Sequence, residues 1–68
     1  MPGERLDNQI KVFRARHDLT QADLAERVGV TRKTINTIEN GRFVPSTVLA
    51  LKIARVFGVP LEELFRLE

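Results

Sequence analysis

The stretch VGVTRKTINTIENG, from Val28 to Gly41, carries the marks of one short helix with both ends specified. Thr31 offers a capping oxygen just before Arg32, and Gly41 stands where a glycine stops a helix in the left-handed conformation. Wound at about 100° per residue, Ile35 and Ile38 share one face with Thr34 at its flank. Arg32, Lys33, Asn36, Thr37 and Asn40 fill the arc on the other side, all polar and all able to donate hydrogen bonds. Two branched aliphatic side chains have a reason to point inward; what the polar five face decides what the chain does.

Working upstream, Thr20 is a suitable cap for a helix from Gln21 to Val28, whose inward face is Leu24, Ala25 and Val28. Gly29 ends that helix, and Val30 tucks in an apolar side chain before Thr31. Two helices joined by a tight glycine-containing turn, with a small residue where their backbones approach, make a helix-turn-helix unit over about residues 21–40. Ala25 permits the approach, Gly29 makes the turn, and Ile35 and Ile38 anchor the second helix.

On either side the pattern remains helical. Leu6, Ile10 and Phe13 recur at i, i+4 and i+7, which predicts a first helix from Leu6 to His17. Arg14 falls beside Ile10 on that stripe, where a partly desolvated charge calls for a carboxylate partner. After the loop RFVP, Ser46 caps a fourth helix to Phe57, ended by Gly58, and Pro60 introduces a last short helix holding Leu61, Leu64 and Phe65. No strand pattern appears, so the expected fold class is all-α with five helices. In the fourth helix Leu49, Ala50, Ile53, Ala54 and Phe57 form the core face, whereas Val48 and Leu51 lie outward with Lys52 and Arg55 and have no partner within the chain.

The 68 residues make a single domain, 1–68, and a chain this short removes only about 60% of its unfolded surface from water. With no cysteine there is neither a disulfide nor a thiolate zinc site, so apolar packing must hold it together. Eleven Lys and Arg against nine Asp and Glu give a net charge of +2, but Glu62, Glu63 and Glu68 crowd the end, leaving the first two thirds more basic. No apolar run is long enough to span a bilayer and MPGERLDN lacks a signal core, which predicts a cytoplasmic protein without membrane contact. His17, the only histidine, ends the first helix and reads as a cap or surface residue. With no Cys, one His at a helix end, no Gly-rich phosphate loop and no carboxylates clustered on one face, no catalytic site, metal, cofactor or small-molecule ligand is expected. Phe43, in a polar loop before Val44 and Pro45, either packs or touches the backbone of a bound polymer or a partner chain; packing is the preferred reading.

LTQADLAERVGVTRKTINTIENG and the tail PSTVLALKIARVFGVPLEELF together resemble the phage-repressor and Cro type (XRE family) of helix-turn-helix transcriptional regulators, above all its small stand-alone members. The resemblance covers nearly the whole chain. It implies a five-helix lambda-repressor-like bundle whose third helix enters the major groove of double-stranded DNA while the second lies across the backbone. It places Arg32 and Lys33 at the start of the recognition helix and Asn36 and Thr37 one turn further, as base contacts. Arg or Lys suits guanine O6 and N7, and Asn can pair bidentately with adenine. Thr20, Gln21 and Thr31 go to phosphates at helix N-termini, with Asn40 and Arg42 as a second clamp. The resemblance also pairs Arg14 with Glu39 as a buried structural pair.

A single recognition helix meets few base pairs, so a homodimer on a palindromic operator is expected, with Val48, Leu51, Leu61, Phe65 and Leu67 as its interface. The family implies repression. Two other readings compete: an antitoxin with a toxin partner, and a co-regulator module bridging proteins without reading DNA. An antitoxin is expected to bring a toxin-binding segment, and none follows Glu68 in this sequence; exposed Arg32 and Lys33 favour DNA over bridging.

Overall fold

Thr20, Thr31 and Ser46 each place a side-chain oxygen on the backbone N–H three residues on, at Asp23, Thr34 and Leu49, and a helix starts at each. A cap of this kind stabilises a helix by about 0.5 to 2 kcal/mol, and three of them set three helix starts without help from packing. A computed structural model describes residues 5–68; the part of the MPGERLDN reading that falls on Met1 to Glu4 lies outside the described residues. In chain order the elements are β1 (Leu6–Asn8), α1 (Ile10–Arg16), α2 (Gln21–Val28), α3 (Arg32–Glu39), α4 (Thr47–Phe57), α5 (Leu61–Leu64) and β2 (Phe65–Leu67).

The stops are as local as the starts. Gly29 at φ 77° and Gly41 at φ 72° turn the chain through the left-handed region, which a Cβ would strain although nothing within 4 Å would obstruct it. Beyond α3, Gly41 N–H donates to Ile38 O and Arg42 N–H to Thr37 O, both at 3.0 Å, the paired bonds of a Schellman motif. This stop turns the chain away immediately past Asn40 and sets Arg42 and Phe43 beside α3.

Ile10, Phe13, Leu24, Ala25, Val28, Ile35, Ile38, Ala50, Ile53, Ala54, Phe57, Leu64 and Phe65 form one core, with Leu49 and Leu61 packed partly against it. Each of the five helices contributes to that core, and Phe13 stacks on Phe57 with ring centroids 5.6 Å apart. His17 caps α1 with its backbone N–H and sets its ring 5.3 Å from that of Phe57.

The all-α expectation needs correction: a small antiparallel sheet joins the two ends of the described chain, with Leu6 opposite Leu67, Asp7 opposite Arg66 and Asn8 opposite Phe65. Gln9 N–H continues it to Leu64 O at 2.9 Å, and Glu68 N–H reaches Arg5 O at 2.8 Å. Three-residue strands are too short to display a period of two, and each satisfies its backbone only when its distant partner arrives. The same pairing starts α1 at Ile10, not Leu6, and takes Phe65 out of the last helix. Asn8 fixes the junction: its Oδ1 accepts Ile10 N–H at 3.2 Å while its Nδ2 donates to Ile38 O at 3.0 Å, tying the start of α1 to the end of α3.

Arg14 and Glu39 make the second tie between those helices. Arg14 Nε donates to Glu39 Oε2 at 2.6 Å, Nη2 to Oε1 at 3.1 Å, and Nη1 to Leu19 O at 3.0 Å. Both side chains are largely withdrawn from water, at 15% and 7% exposure. The hydrogen bond to Glu39 raises the Arg14 pKa, the ion pair adds to it, and burial opposes both.

Two outcomes follow for stability. Ala25, 2% exposed, holds α2 close to its neighbours, so Ala25→Leu overfills the core and lowers the denaturation midpoint by an amount equivalent to about 1 to 3 kcal/mol. Glu39→Ala leaves a guanidinium buried without its partner and costs about 3 to 5 kcal/mol, comparable to the whole stability of so small a domain. Guanidinium chloride unfolding of both variants against the parent, followed by circular dichroism, checks each value.

Candidate nucleic-acid interface

The candidate surface is built on α3, a helix of little more than two turns fastened by Ile35 and Ile38, which are 0% and 2% exposed. Arg32, Lys33, Asn36 and Asn40 are exposed on its other side, with Thr37 half-buried. The ion pairs among the described residues are Arg5 with Glu68 and Arg14 with Glu39. Neither involves Arg32, Lys33 or Arg42, so three exposed cations border α3 without a carboxylate to neutralise them.

The amides behave differently from the cations. Gln21 Nε2 donates to Asn36 Oδ1 at 3.2 Å and to Glu39 Oε1 at 3.3 Å, and Asn40 Nδ2 donates to Asn36 O at 2.9 Å and to Asn36 Oδ1 at 3.2 Å. Both acceptor positions of Asn36 Oδ1 are therefore filled from within the chain, which leaves its Nδ2 as the group turned to solvent. A bidentate bond to adenine requires that oxygen to accept from the base, so it demands release of Gln21 or Asn40. With the network intact, Asn36 offers donors only, which suit a base acceptor such as N7 or O6.

The phosphate assignments shift for the same reason. Gln21 and Asn40 spend their side-chain donors inside the chain, and Asn40 N–H bonds Asn36 O at 3.1 Å, so neither side chain keeps a hydrogen for a phosphate in this arrangement. At the start of α2, Thr20 and Asp23 close a capping box, Thr20 N–H to Asp23 Oδ2 and Asp23 N–H to Thr20 Oγ1, each 3.0 Å. The Thr20 backbone and side-chain hydrogen bonds hold the Asp23 carboxyl below its ordinary range. What remains for an anion there is the backbone N–H of Gln21 and Ala22, first-turn donors with no acceptor inside the helix. Arg32 borders the same open groove as Thr20 and Gln21, which adds a cation to that seat. Thr31 uses its hydroxyl to accept Thr34 N–H at 3.2 Å.

Arg42 lies exposed just past the Schellman turn. Phe43 beside it is 48% exposed, against the expectation that it packs: the turn after Gly41 carries it along the outside of α3. Of the residues expected at a two-fold interface, Val48, Leu51 and Leu67 are exposed at 64%, 49% and 67%, whereas Leu61 is partly buried and Phe65, at 8%, belongs to the protomer's own core. Phe65 is therefore removed from that set, because pairing with Asn8 in the sheet turns its side chain inward. Sequence reading missed Asn8 and the Gln21–Asn36 link altogether. Asn8 was legible only as a residue with a propensity for caps, and the link needs the angle between α2 and α3.

Comparison with known proteins agrees with this geometry. Residues 10–64 match the Helix-turn-helix family HTH_3. An uncharacterized HTH-type transcriptional regulator of Methanocaldococcus jannaschii is 52% identical over 60 residues, covering 88% of this chain and 91% of its own. The uncharacterized HTH-type transcriptional regulator YgzD of Bacillus subtilis is 48% identical over 63 residues, 93% of this chain and 96% of its own. Among solved structures, a putative DNA-binding protein from Bacteroides fragilis superposes with a TM-score of 0.80 at 30% identity, over 90% of this chain and 98% of that one. Capped helices joined by a glycine turn, a cationic outer face on the second of them, and relatives of nearly equal length place the chain in the helix-turn-helix family of DNA-binding transcriptional regulators.

Proposed function

We propose that the protein binds double-stranded DNA sequence-specifically as a homodimer on a palindromic operator, and represses transcription by occupying a promoter. The observation that carries this reading is the outer face of α3: Arg32 and Lys33 are exposed, unpaired, and rigidly presented by Ile35 and Ile38. In the major groove these two cations and the Asn36 Nδ2 donor meet base acceptors, each good pairing contributing about 1 to 3 kcal/mol of discrimination. Arg42, one turn beyond the helix end, neutralises a phosphate, and the N–H groups of Gln21 and Ala22 with Thr20 hold another at the start of α2.

One α3 reaches too few base pairs for a useful specificity, and a two-fold pair spaced about 34 Å apart doubles the site. Val48, Leu51 and Leu67 support such an interface, being among the large apolar side chains that the protomer leaves exposed. Repression needs no further domain, since a dimer seated on promoter DNA excludes polymerase by occupancy.

Selection of bound duplexes from a random pool tests the reading: a palindromic consensus is expected, and a protein that retards no duplex refutes it. On the selected site, Lys33→Ala relaxes preference and loses about 1 to 3 kcal/mol relative to random DNA. Arg42→Ala weakens all duplexes alike and lowers the salt slope by about one. Fluorescence anisotropy across a salt series separates the two, and equal losses on both DNAs for both variants would overturn the division. Light scattering at tens of micromolar is expected to give twice the 7.7 kDa protomer mass, and Leu51→Glu to return it to the protomer value.

A further inference from the structure

Past α3 the chain is held by hydrogen bonds more than by packing. Gly41 and Arg42 are exposed, Phe43 and Val44 are 48% and 68% exposed, and the next buried residue is Pro45. Between this segment and β1 lies a cavity of about 360 Å³ whose lining includes Asn8, Ile38, Gly41 and Phe43. Burial therefore does little to fix Arg42, and the turn must do it. Arg42 N–H is bonded to Thr37 O and Gly41 N–H to Ile38 O, each at 3.0 Å. The Ile38 carbonyl carries a second bond, from Asn8 Nδ2 at 3.0 Å, 30 residues away in sequence. Asn8 is itself well anchored: it stands opposite Phe65 in the sheet, and its Oδ1 accepts Ile10 N–H at 3.2 Å. The last carbonyls of a helix have no partner within it, and its end frays unless another group takes them.

We propose that Asn8 is a positioning residue for DNA binding: by holding the Ile38 carbonyl it fixes the turn that directs Arg42 at a phosphate. The proposal rests on the DNA-binding reading and adds to it a residue from outside the helix-turn-helix. Glu39 secures the end of α3 through its side chain, whereas Asn8 bonds the carbonyl on which the turn closes. Arg32 and Lys33, at the other end of α3, are set by the Thr31 cap and by Ile35, so loss of the Asn8 bond leaves them in place. The consequence is confined to the part of binding that reads no base, because a phosphate contact carries no sequence information.

Asn8 also caps α1, so the test keeps that cap. Asn8→Ser retains an oxygen for Ile10 N–H and removes the donor that reaches Ile38 O. Its affinity for the selected duplex and for random DNA, measured by fluorescence anisotropy, is expected to fall by the same factor, about three- to tenfold, the cost of ordering one long side chain on binding. In the Arg42→Ala background the same substitution is expected to change neither affinity, because the contact it positions is already gone. A residue that only stabilised the fold would add its loss to that of Arg42→Ala. Should Asn8→Ser fail to fold, Asn8→Thr, which keeps the oxygen and suits a strand, takes its place with the same expected outcome. Additive losses, a loss confined to the selected duplex, no loss at all, or an Arg42→Ala protein that binds like the parent each overturn the proposal while leaving base reading by α3 intact. A parent that retards no duplex removes both.

Discussion

The Arg14 guanidinium and the Glu39 carboxylate meet at the one point where α1, the loop before α2, and the end of α3 come together. Arg14 also bonds Leu19 O, and Gln21 Nε2 bonds the same carboxylate from the start of α2, so three segments are referred to a single pair of charges. A buried ion pair is a doubtful source of net stability, because desolvation of both partners offsets their attraction. Its effect here is geometric. Hydrophobic contact between Ile35, Ile38 and the core is non-directional and leaves α3 able to rotate or slide; hydrogen bonds of fixed direction do not. The pair converts a helix that is merely seated into one whose outer face has a defined orientation.

From that pair a chain of hydrogen bonds runs to the surface: Glu39 to Gln21, Gln21 to Asn36, Asn36 to Asn40. Its outward end is an amide whose oxygen is already occupied. The interior therefore reaches the outer face of α3 by dictating which half of Asn36 is available, as well as by holding the helix in place. On the same face the cations carry no such restraint, and the contrast is physical: an amide has donors and acceptors that can be satisfied locally, while Arg32, Lys33 and Arg42 have only donors and take part in none of the ion pairs among the described residues. Fixed amides beside unneutralised cations suit a surface that must distinguish base edges and still be drawn to phosphates.

A mostly apolar groove lined by Thr31, Thr34, Thr37 and Phe43, among others, belongs to the same economy of hydroxyls. Threonine is counted as polar in any reading of periodicity, yet three threonines whose oxygens are committed within α3 and its cap present hydrocarbon to the outside. The outer face of α3 is then mixed in character, with donors at its start and along its spine and an apolar edge on the side of the loop.

How far the sequence reached depends on the range of the interactions concerned. Helix starts at Thr20, Thr31 and Ser46, stops at Gly29, Gly41 and Gly58, and the inward positions of Leu24, Ala25, Val28, Ile35 and Ile38 follow from contacts within a few residues, so sequence by itself determined the helix-turn-helix and the face of α3 left outside. The pair of Arg14 with Glu39 came from resemblance, since charge on a stripe asks for a partner without naming it. Only the tertiary structure decided that the chain ends pair as strands, that Phe65 turns into the core, that Asn8 bridges α1 to α3, and that Gln21 and Asn40 satisfy Asn36. Each of these joins groups far apart in sequence or depends on the angle between two helices, and such a bond exists only after hydrophobic burial has brought the partners within hydrogen-bonding distance.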